Sequence, residues 1–458
     1  APRYTSYPTA PAFEESFGHA DYARLLARPR PADAPLSLYF HLPFCRNICL
    51  FCACNVVYTA NRSRMLPYLE LLRQEMALVG RHLRMSGPAA AERRVAHLHL
   101  GGGTPGFASP DELRHLHRSI REQFRLDPDT AEQSIELDPR EASAEQIRAL
   151  AQCGFRRASL GIQDFDPQVQ TTIRREQSPA MIRRLVHDLR ASGFTTLSFD
   201  LIYGLPYQSL ASLRTTVNRV LELRPNRLSV FQFAYLPELK KHQRRLPAAA
   251  LPDAALRAEL FESARAQLLA AGYRHTGMDH FALPDDELAT AQRAGLLHRN
   301  FQGYVAGAQA RPDCDLLAFG VSSIGSLAGH GDQPAAYMAN TRDLRRYAED
   351  LRAERLPVAR GIVLSLDDEL RRHVIIELIC HFQVRVSAAD RRRLGDAIAR
   401  LEREFARREL VDLQADADGT LQIRVLPAGR PAIRLICMVF DAHADRLRAK
   451  GQVFSQSA

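Results

Sequence analysis

From Leu36 onward, apolar residues recur along the chain in two alternating patterns: short runs typical of buried strands and longer runs with helical spacing. The short runs predict six strands, at 36–42, 95–100, 133–137, 156–161, 195–201 and 227–233. The amphipathic runs between and after them predict helices at 66–84, 109–124, 143–152, 178–191, 208–222 and 253–271. Strand and helix units in series indicate parallel strands joined by right-handed crossovers.

This pattern indicates an α/β fold, either a partial or complete barrel or a doubly wound sheet. Both architectures place their chemistry at the carboxyl ends of the strands. Polar or Gly-rich segments follow the predicted strands, among them 101–105 (GGGTP) after the second strand and 161–164 (GIQD) after the fourth. We therefore expect the functional residues to meet at one rim.

The pattern also divides the chain into three parts. Residues 1–35 are rich in Pro, Tyr, Thr and Ala and predict an arm with one short helix near 21–26. Residues 36–355 hold the six units and a mixed α/β extension. Residues 356–458 are dense in Arg and Glu, and they predict a separate, mostly helical domain with one hairpin near 410–426.

Composition narrows the class of protein. With 458 residues, of which 46% are hydrophobic, the chain can bury a large core. It has no apolar run near the roughly eighteen residues that span a bilayer, and its start does not resemble a signal peptide. We expect a cytoplasmic, monomeric protein without a membrane partner. The net charge of +9 permits an acidic partner, but the basic runs alternate with acids, and we expect no nucleic-acid binding.

Four of the eight cysteines lie between positions 45 and 54, directly after the first predicted strand. Cys45, Cys49 and Cys52 are spaced so that one loop can supply three thiolates to an iron–sulfur cubane. Three ligands leave one iron open to bind a small molecule, as reductive cleavage of S-adenosylmethionine requires. A structural zinc site, with Cys54 or His41 as fourth ligand, and a chance cluster are the alternatives.

The C-x3-C-x2-C spacing after the first strand and the GGGTP loop after the second resemble the radical S-adenosylmethionine superfamily. A narrower resemblance, to the oxygen-independent coproporphyrinogen III oxidase family, covers nearly the whole chain. It rests on RYTSYPT at 3–9, LYFHLPFC at 38–45, IELDPRE at 135–141, LGIQDF at 160–165, DLIYGLP at 200–206, GMDHFALPDDELA at 277–289 and HRNFQGY at 298–304. One departure is Ala53, where the family normally has Gly.

The resemblance implies a partial (β/α)6 TIM-like barrel that carries a [4Fe-4S] cluster on Cys45, Cys49 and Cys52. It also implies one or two molecules of S-adenosylmethionine. The positions that match the first molecule are Tyr39, Gly102, Glu136 and Ile324. The positions that match the second, which could equally face the substrate, are Phe51, Gly103, Thr104, Gln163, Arg175, Asp200 and Ala234. Without the resemblance, Glu136 could simply pair with Arg140 or another base, and Arg175 with Asp200.

The activity implied is conversion of two propionate groups of coproporphyrinogen III to vinyl groups, which gives protoporphyrinogen IX. Such an enzyme also needs a low-potential electron donor protein. Four residues are candidates for the substrate side: Arg3 and Tyr4 in the arm, Cys54 and Gln302. Alternatively, the arm only packs over the barrel and Cys54 is inert.

Two relatives of this family are rival interpretations. One is a haem-binding chaperone without oxidase activity, and the other is a radical haem-degrading methyltransferase. Cys54-Asn55 and the RYTSYPT motif argue against both. The chaperone typically has Phe at the position of Cys54 and lacks the arm motif, and the methyltransferase shares the barrel but differs at the same two places.

Overall fold

The computed structural model describes residues 4, 6–87 and 92–449. Its first strands are β1 (Leu36–Leu42), β2 (Phe44–Cys45), β3 (Val57–Tyr58), β4 (Val95–Gly102), β5 (Glu132–Leu137), β6 (Arg157–Gln163), β7 (Thr196–Tyr203) and β8 (Arg227–Gln232). The helices of the same region are α1 (His19–Leu26), α2 (Met65–Arg84), α3 (Pro110–Gln123), α4 (Ala144–Gln152), α5 (Pro167–Ile173), α6 (Pro179–Ala191), α7 (Leu210–Leu223) and α8 (Ala254–Ala270). The six predicted strands are confirmed as β1 and β4 to β8.

These six strands are neighbours in chain order, and each pairs in parallel with the next. They form the centre of a twelve-stranded sheet. The two ends of this sheet remain edges, so its hydrogen bonding does not close a ring. The arrangement confirms the α/β fold with a partial barrel.

The mixed extension completes the sheet. Its elements are β9 (Arg274–Gly277), β10 (His280–Ala282), α9 (Glu287–Arg293), β11 (His298–Asn300), β12 (Gly303–Val305), β13 (Asp315–Phe319), β14 (Ile324–Leu327), β15 (Ala336–Asn340), α10 (Leu344–Arg352) and β16 (Val358–Val363). Strand β13 pairs with β1 in parallel, and β14, β15 and β16 follow it as an antiparallel ladder. At the other edge β10 and β9 extend β8. The β11–β12 hairpin pairs only with itself.

Alternation along β1 explains how one strand serves both the core and the site. Leu36, Leu38 and Phe40 are fully buried and belong to the main hydrophobic core. Because successive side chains point to opposite faces, Ser37, Tyr39 and His41 point to the other side of the sheet. That inner side carries the polar residues described below.

The last part of the described chain contains α11 (Leu366–His381), β17 (Gln383–Val386), α12 (Ala388–Arg393), α13 (Gly395–Glu404), β18 (Val411–Ala415), β19 (Leu421–Val425), α14 (Ile433–Met438) and α15 (Ala444–Ala449). The predicted hairpin near 410–426 is the antiparallel pair of β18 and β19. This part builds a second core that also includes Tyr4 and Tyr7 of the arm. The division into domains at residues 35 and 355 stays a prediction. Within the described residues, no helix combines the length and apolarity that a membrane span requires.

Candidate active site

The cysteine-rich loop follows the carboxyl end of β1, where the strand pattern predicts functional residues. The parallel pair of β2 and β3 anchors the loop, because it sets Phe44 opposite Val57 and Cys45 opposite Tyr58. Four thiols line one cavity of about 260 Å³ at this rim: Cys45, Cys49, Cys52 and Cys54. The cysteine loop therefore surrounds a cavity into which several of its thiols can direct ligands.

This geometry fits an iron–sulfur cubane, in which each thiolate binds a different iron. Among the described residues, no three His, Cys, Asp or Glu side chains converge closely enough to hold one metal ion. Positive groups adjoin the thiols: Arg140 donates to Cys49 Sγ at 3.1 Å, and Arg175 donates to the same sulfur at 3.7 Å. Hydrogen bonds and positive charges at the sulfurs stabilise an anionic cluster and tune its potential.

Cys54 differs from the three predicted ligands. It is exposed, and a hydrogen bond from its thiol lowers the pKa of Cys52 below its ordinary value. Its neighbour Ala53, where the resembling family has Gly, is not among the residues with positive φ. An alanine at position 53 therefore fits this loop without backbone strain.

The glycines after β4 allow two backbone segments to approach closely. Gly102 has a φ of +112°, and a Cβ there would lie 2.6 Å from the ring of His41. At Gly103 a Cβ would lie 2.7 Å from the backbone of Pro43, just before the cysteine loop. Only glycine permits this approach, so the GGGTP loop is more than an ordinary turn.

Glu136 at the end of β5 faces this glycine loop. Its Oε2 accepts a hydrogen bond from the Gly102 amide at 3.1 Å, and its Oε1 lies 3.4 Å from His99 Nε2. Of the bases considered as partners of Glu136, Arg140 instead binds Asp138, with its Nε 3.0 Å from Oδ1, and the base beside Glu136 is His99. Glu136 also lines the cluster cavity.

A chain of hydrogen bonds inside the barrel holds Glu136 from below. Ser37 Oγ lies 3.3 Å from His97 Nδ1, and His97 Nε2 lies 2.9 Å from Ser134 Oγ. The same hydroxyl lies 2.6 Å from His99 Nδ1. Since His99 also contacts Glu136, the orientation of this carboxylate depends on three neighbouring strands.

A second cavity, of about 220 Å³, shares Glu136 with the cluster cavity and brings together most of the first predicted set. Its walls include Tyr39, Glu136 and Ile324, together with Gln302. The Tyr39 ring stacks on His99 with 5.8 Å between centroids. Gly102 joins this group through its hydrogen bond to Glu136.

The second predicted set mostly lines the cluster cavity. Its members there are Phe51, Gly103, Thr104, Gln163, Arg175 and Asp200. Thr104 Oγ1 lies 3.3 Å from Cys45 Sγ. Ala234 is not among the residues that line this cavity. It is buried, and its carbonyl accepts a hydrogen bond from Gln243 at 3.0 Å.

Arg175 and Asp200 do not form the ion pair considered above. The Arg175 guanidinium binds Asp138 and also donates to the Gly161 carbonyl at 2.8 Å. Asp200 instead accepts a hydrogen bond from Ser159 at 3.2 Å. Burial and the nearby Glu136 carboxylate raise the pKa of Asp200 to about 6.

The four candidates for the substrate side are dispersed. Gln302, at the turn between β11 and β12, lines both the second cavity and a larger one of about 300 Å³ inside the barrel. Cys54 lines the cluster cavity. Tyr4 is buried in the second core, where its hydroxyl donates to Asp441 at 3.0 Å. Arg3 lies outside the described residues.

The sequence pattern missed three groups that the structure adds to the site. Asp138 and Arg140 form the charged wall beside Cys49, and His99 supports Glu136. A signal for His99 exists, because His97 and His99 alternate on β4 with apolar residues and therefore share its inner face. The partners of Asp138 have no comparable local signal.

Comparisons with known proteins agree with this geometry. The family model for the radical SAM superfamily matches residues 39–220. The oxygen-independent coproporphyrinogen III oxidase of Pseudomonas aeruginosa is 44% identical over 460 residues, which cover 97% of this chain and 94% of that protein. The Escherichia coli K12 protein of the same name is 41% identical, with 99% and 95% covered.

A solved structure shares the whole fold. It is coproporphyrinogen III oxidase (HemN) from Escherichia coli, described as a radical SAM enzyme. Its TM-score is 0.86 at 39% identity, and the alignment covers 96% of this chain and 97% of that one. The likeness therefore includes the arm and the C-terminal part as well as the barrel.

Proposed function

Since this chain belongs to the family of oxygen-independent coproporphyrinogen III oxidases, we propose which of its residues serve that family's reaction. The chain is an enzyme of haem biosynthesis. It converts two propionate side chains of coproporphyrinogen III to vinyl groups, releases carbon dioxide and forms protoporphyrinogen IX. A relative that is 44% identical over 97% of the chain, together with the cavity lined by the cysteine loop, carries this conclusion.

The cluster site is assigned to Cys45, Cys49 and Cys52. When bound, the [4Fe-4S] cluster and S-adenosylmethionine supply a 5′-deoxyadenosyl radical, which is strong enough to take a hydrogen atom from an unactivated carbon. The protein's role is to position the bound molecules and to shield the radical from solvent. Arg140 and Arg175 place positive charge beside Cys49, and the close approach at Gly103 fixes the floor of the cavity.

The first S-adenosylmethionine is assigned to the second cavity. There Glu136 is oriented by His99 and the Gly102 amide, so its free lone pairs can accept hydrogen bonds from ribose hydroxyls. The Tyr39 ring offers a flat apolar wall. Gln302, which also reaches the larger barrel cavity, stands between this molecule and the tetrapyrrole.

The second set of residues is proposed to hold either another S-adenosylmethionine or the substrate. Support comes from their shared cavity with the cysteine loop. Cys54 belongs to the same wall and is proposed to face the bound molecules. Tyr4 is proposed to act by packing the arm against the C-terminal part, since its hydroxyl already binds Asp441.

The partners are proposed on chemical grounds. A cluster held by these cysteines would need one electron from outside the chain, which a low-potential donor protein would supply. Free thiols at the cluster loop suit a compartment that keeps cysteine reduced, such as the cytoplasm. We propose a monomer, because the arm, barrel and C-terminal part supply all the assigned residues within one chain.

The assay that tests the function is anaerobic turnover. Protein reconstituted with iron and sulfide, given a chemical reductant, S-adenosylmethionine and coproporphyrinogen III, is expected to form protoporphyrinogen IX, identified by its mass. Tight haem binding without decarboxylation would instead favour the haem chaperone. The curated relatives matched over the whole chain are oxidases, and neither rival is favoured.

The raised pKa of Asp200 predicts a pH effect on cofactor binding. Its carboxyl is neutral below pH 6 and charged above it. Since S-adenosylmethionine carries a positive sulfonium, which only the charged carboxylate attracts, affinity is expected to rise about tenfold between pH 5 and 7. Equilibrium binding across this range should show the rise in the native protein and lose it in Asp200→Asn.

A matched control is Asp111→Asn, which alters an exposed carboxylate on α3. This variant should keep the pH profile of the native protein. If Asp200→Asn also keeps it, Asp200 does not contact the bound molecule in its charged form.

A further inference from the structure

A basic segment of the chain, residues 240–245 (KKHQRR), packs directly on the cysteine loop. Lys240 Nζ donates to the Cys54 carbonyl at 2.8 Å, and His242 Nε2 lies 2.8 Å from the Cys52 carbonyl. The His242 ring also meets Tyr58 of β3 edge to face, at 6.3 Å between centroids. The segment therefore holds the backbone of the cysteine loop at Cys52, the last assigned iron ligand, and at Cys54.

Gln243 anchors the same segment from within. Its buried amide donates to the carbonyls of Phe51, at 3.1 Å, and Ala234, at 3.0 Å. With the inner side chains fixed in this way, the outer ones face solvent: Lys241, Arg244 and Arg245 are exposed. The cations thus sit on a rigid support beside the cluster site.

The opposite flank of the loop is basic as well. Arg62 and Arg64 are exposed, and the guanidinium of Arg64 lies 5.6 Å from the ring of Phe44, next to Cys45. Arg46 in the loop itself is also exposed. We call these six side chains the basic rim: Arg46, Arg62, Arg64, Lys241, Arg244 and Arg245.

Among the described residues, two of these six cations form ion pairs with acidic side chains. Glu238 lies 2.7 Å from Arg244, and Glu141 lies 3.5 Å from Arg46. Two large apolar side chains stand among the cations: Leu239 is 69% exposed and Leu66 is 56% exposed. Cations around exposed apolar side chains are typical of a surface that meets an acidic protein with an apolar centre.

We propose that the basic rim is the docking surface for an acidic, low-potential one-electron carrier protein. The inference rests on the proposed function, which requires a reductant and assigns the cluster to this loop. In the encounter the carrier is oxidised by one electron and the cluster is reduced by that electron, while no group or proton is transferred. The rim brings the carrier to the face of the protein where the cysteine ligands lie.

Electrostatics gives the rim its function. Opposite charges on two proteins raise the association rate by 10-fold to 1000-fold at low ionic strength, and salt screens the effect. Such steering suits a carrier that must bind briefly and leave after each electron. The overall charge of +9 does not by itself aim a partner at the cluster, but a rim around the loop does.

The test compares two charge-reversal variants with equal changes in net charge. Lys241→Glu/Arg245→Glu alters the rim without touching the side chains that hold the loop. Arg391→Glu/Arg392→Glu alters exposed arginines on α12 in the C-terminal part. The probe is fluorescently labelled oxidised flavodoxin, an acidic carrier, and its binding is followed by anisotropy at low and high salt.

The rim variant is expected to bind flavodoxin about tenfold or more weakly at low salt, with little difference left at high salt. The α12 variant should bind like the native protein. Equal weakening in both variants, or unchanged binding in the rim variant, would overturn the proposal. Equally weakened binding of a short DNA duplex would also overturn it, because the rim would then be a general polyanion site.

A second measurement separates docking from damage to the loop. Bleaching of the cluster absorbance by reduced flavodoxin should slow in the rim variant, whereas bleaching by dithionite should keep its native rate. Slowing with both reductants would contradict the docking role. Neither readout needs porphyrinogen turnover, so a protein that fails to decarboxylate still tests the rim, and failure of the rim leaves the proposed activity intact.

Discussion

Replacing Cys45, Cys49 or Cys52 by serine is expected to abolish the iron–sulfur absorbance of the anaerobically reconstituted protein. Serine keeps the size of the side chain but removes the thiolate that iron prefers. The three sulfurs line one cavity, and each is assigned to a different iron. Loss of any one of them therefore leaves the cluster without a ligand. Arg140 and Arg175 donate hydrogen bonds to Cys49. Turnover should disappear with the absorbance.

Cys54→Ser is the matched control for this experiment. It changes a thiol in the same loop and the same cavity, yet the cluster should remain, because Cys54 is assigned to the side of the bound molecules. Iron content and absorbance measured on all four variants check the assignment. Loss of the cluster in the Cys54 variant would show that the ligands are assigned wrongly.

Arg93→Met is expected to lower the free energy of unfolding by about 3–5 kcal/mol, the usual effect of breaking a buried ion pair from one side. Arg93 is fully buried, and its guanidinium lies 2.7 Å from Asp315, which is itself 1% exposed. It also donates to the carbonyls of Ala34, at 2.7 Å, and Pro35, at 3.1 Å. The arginine thereby ties together the amino ends of β1, β4 and β13.

Urea denaturation measures this effect. Arg93→Met/Asp315→Asn should be no more stable than Arg93→Met, because Asp315 also pairs with the buried Arg30, at 3.7 Å, and the second change leaves that charge without a carboxylate. Arg81→Met is the exposed control, since its pair with Glu354 is solvated and should contribute less than about 1 kcal/mol. A loss below about 1 kcal/mol for Arg93→Met would refute the structural role.

The arm has a motif that can be recognised in the sequence, but the sequence did not predict which residues this motif contacts. Arg3 and Tyr4 of the RYTSYPT motif were candidates for contact with the substrate, and the alternative was an arm that only packs over the barrel. The structure places Tyr4 and Tyr7 in the second core, where Tyr4 donates to Asp441 and the Tyr7 hydroxyl accepts from the Ala442 amide at 3.2 Å. The arm and the C-terminal part therefore stabilise each other across more than 400 positions of sequence.

The pairing of charges could not be predicted either, because it too depends on which segments meet in the fold. The sequence offered Arg140 or another base for Glu136, and Asp200 for Arg175. In the fold both arginines meet Asp138, and Glu136 meets His99. A strand end brings several charges within reach of one another, and small differences in register decide which of them form pairs.

The sequence by itself determined the six strand–helix units, the rim where the site lies and the three thiols that suit a cluster. These follow from hydrophobic periodicity and from the spacing of residues along one short loop, which are local properties of the chain. Only the tertiary structure decided the partners of Asp138 and Glu136, the burial of the arm and the contact of His242 with Cys52, 190 residues away. Such contacts depend on how the whole core packs, because packing sets the distance between segments that no local pattern connects.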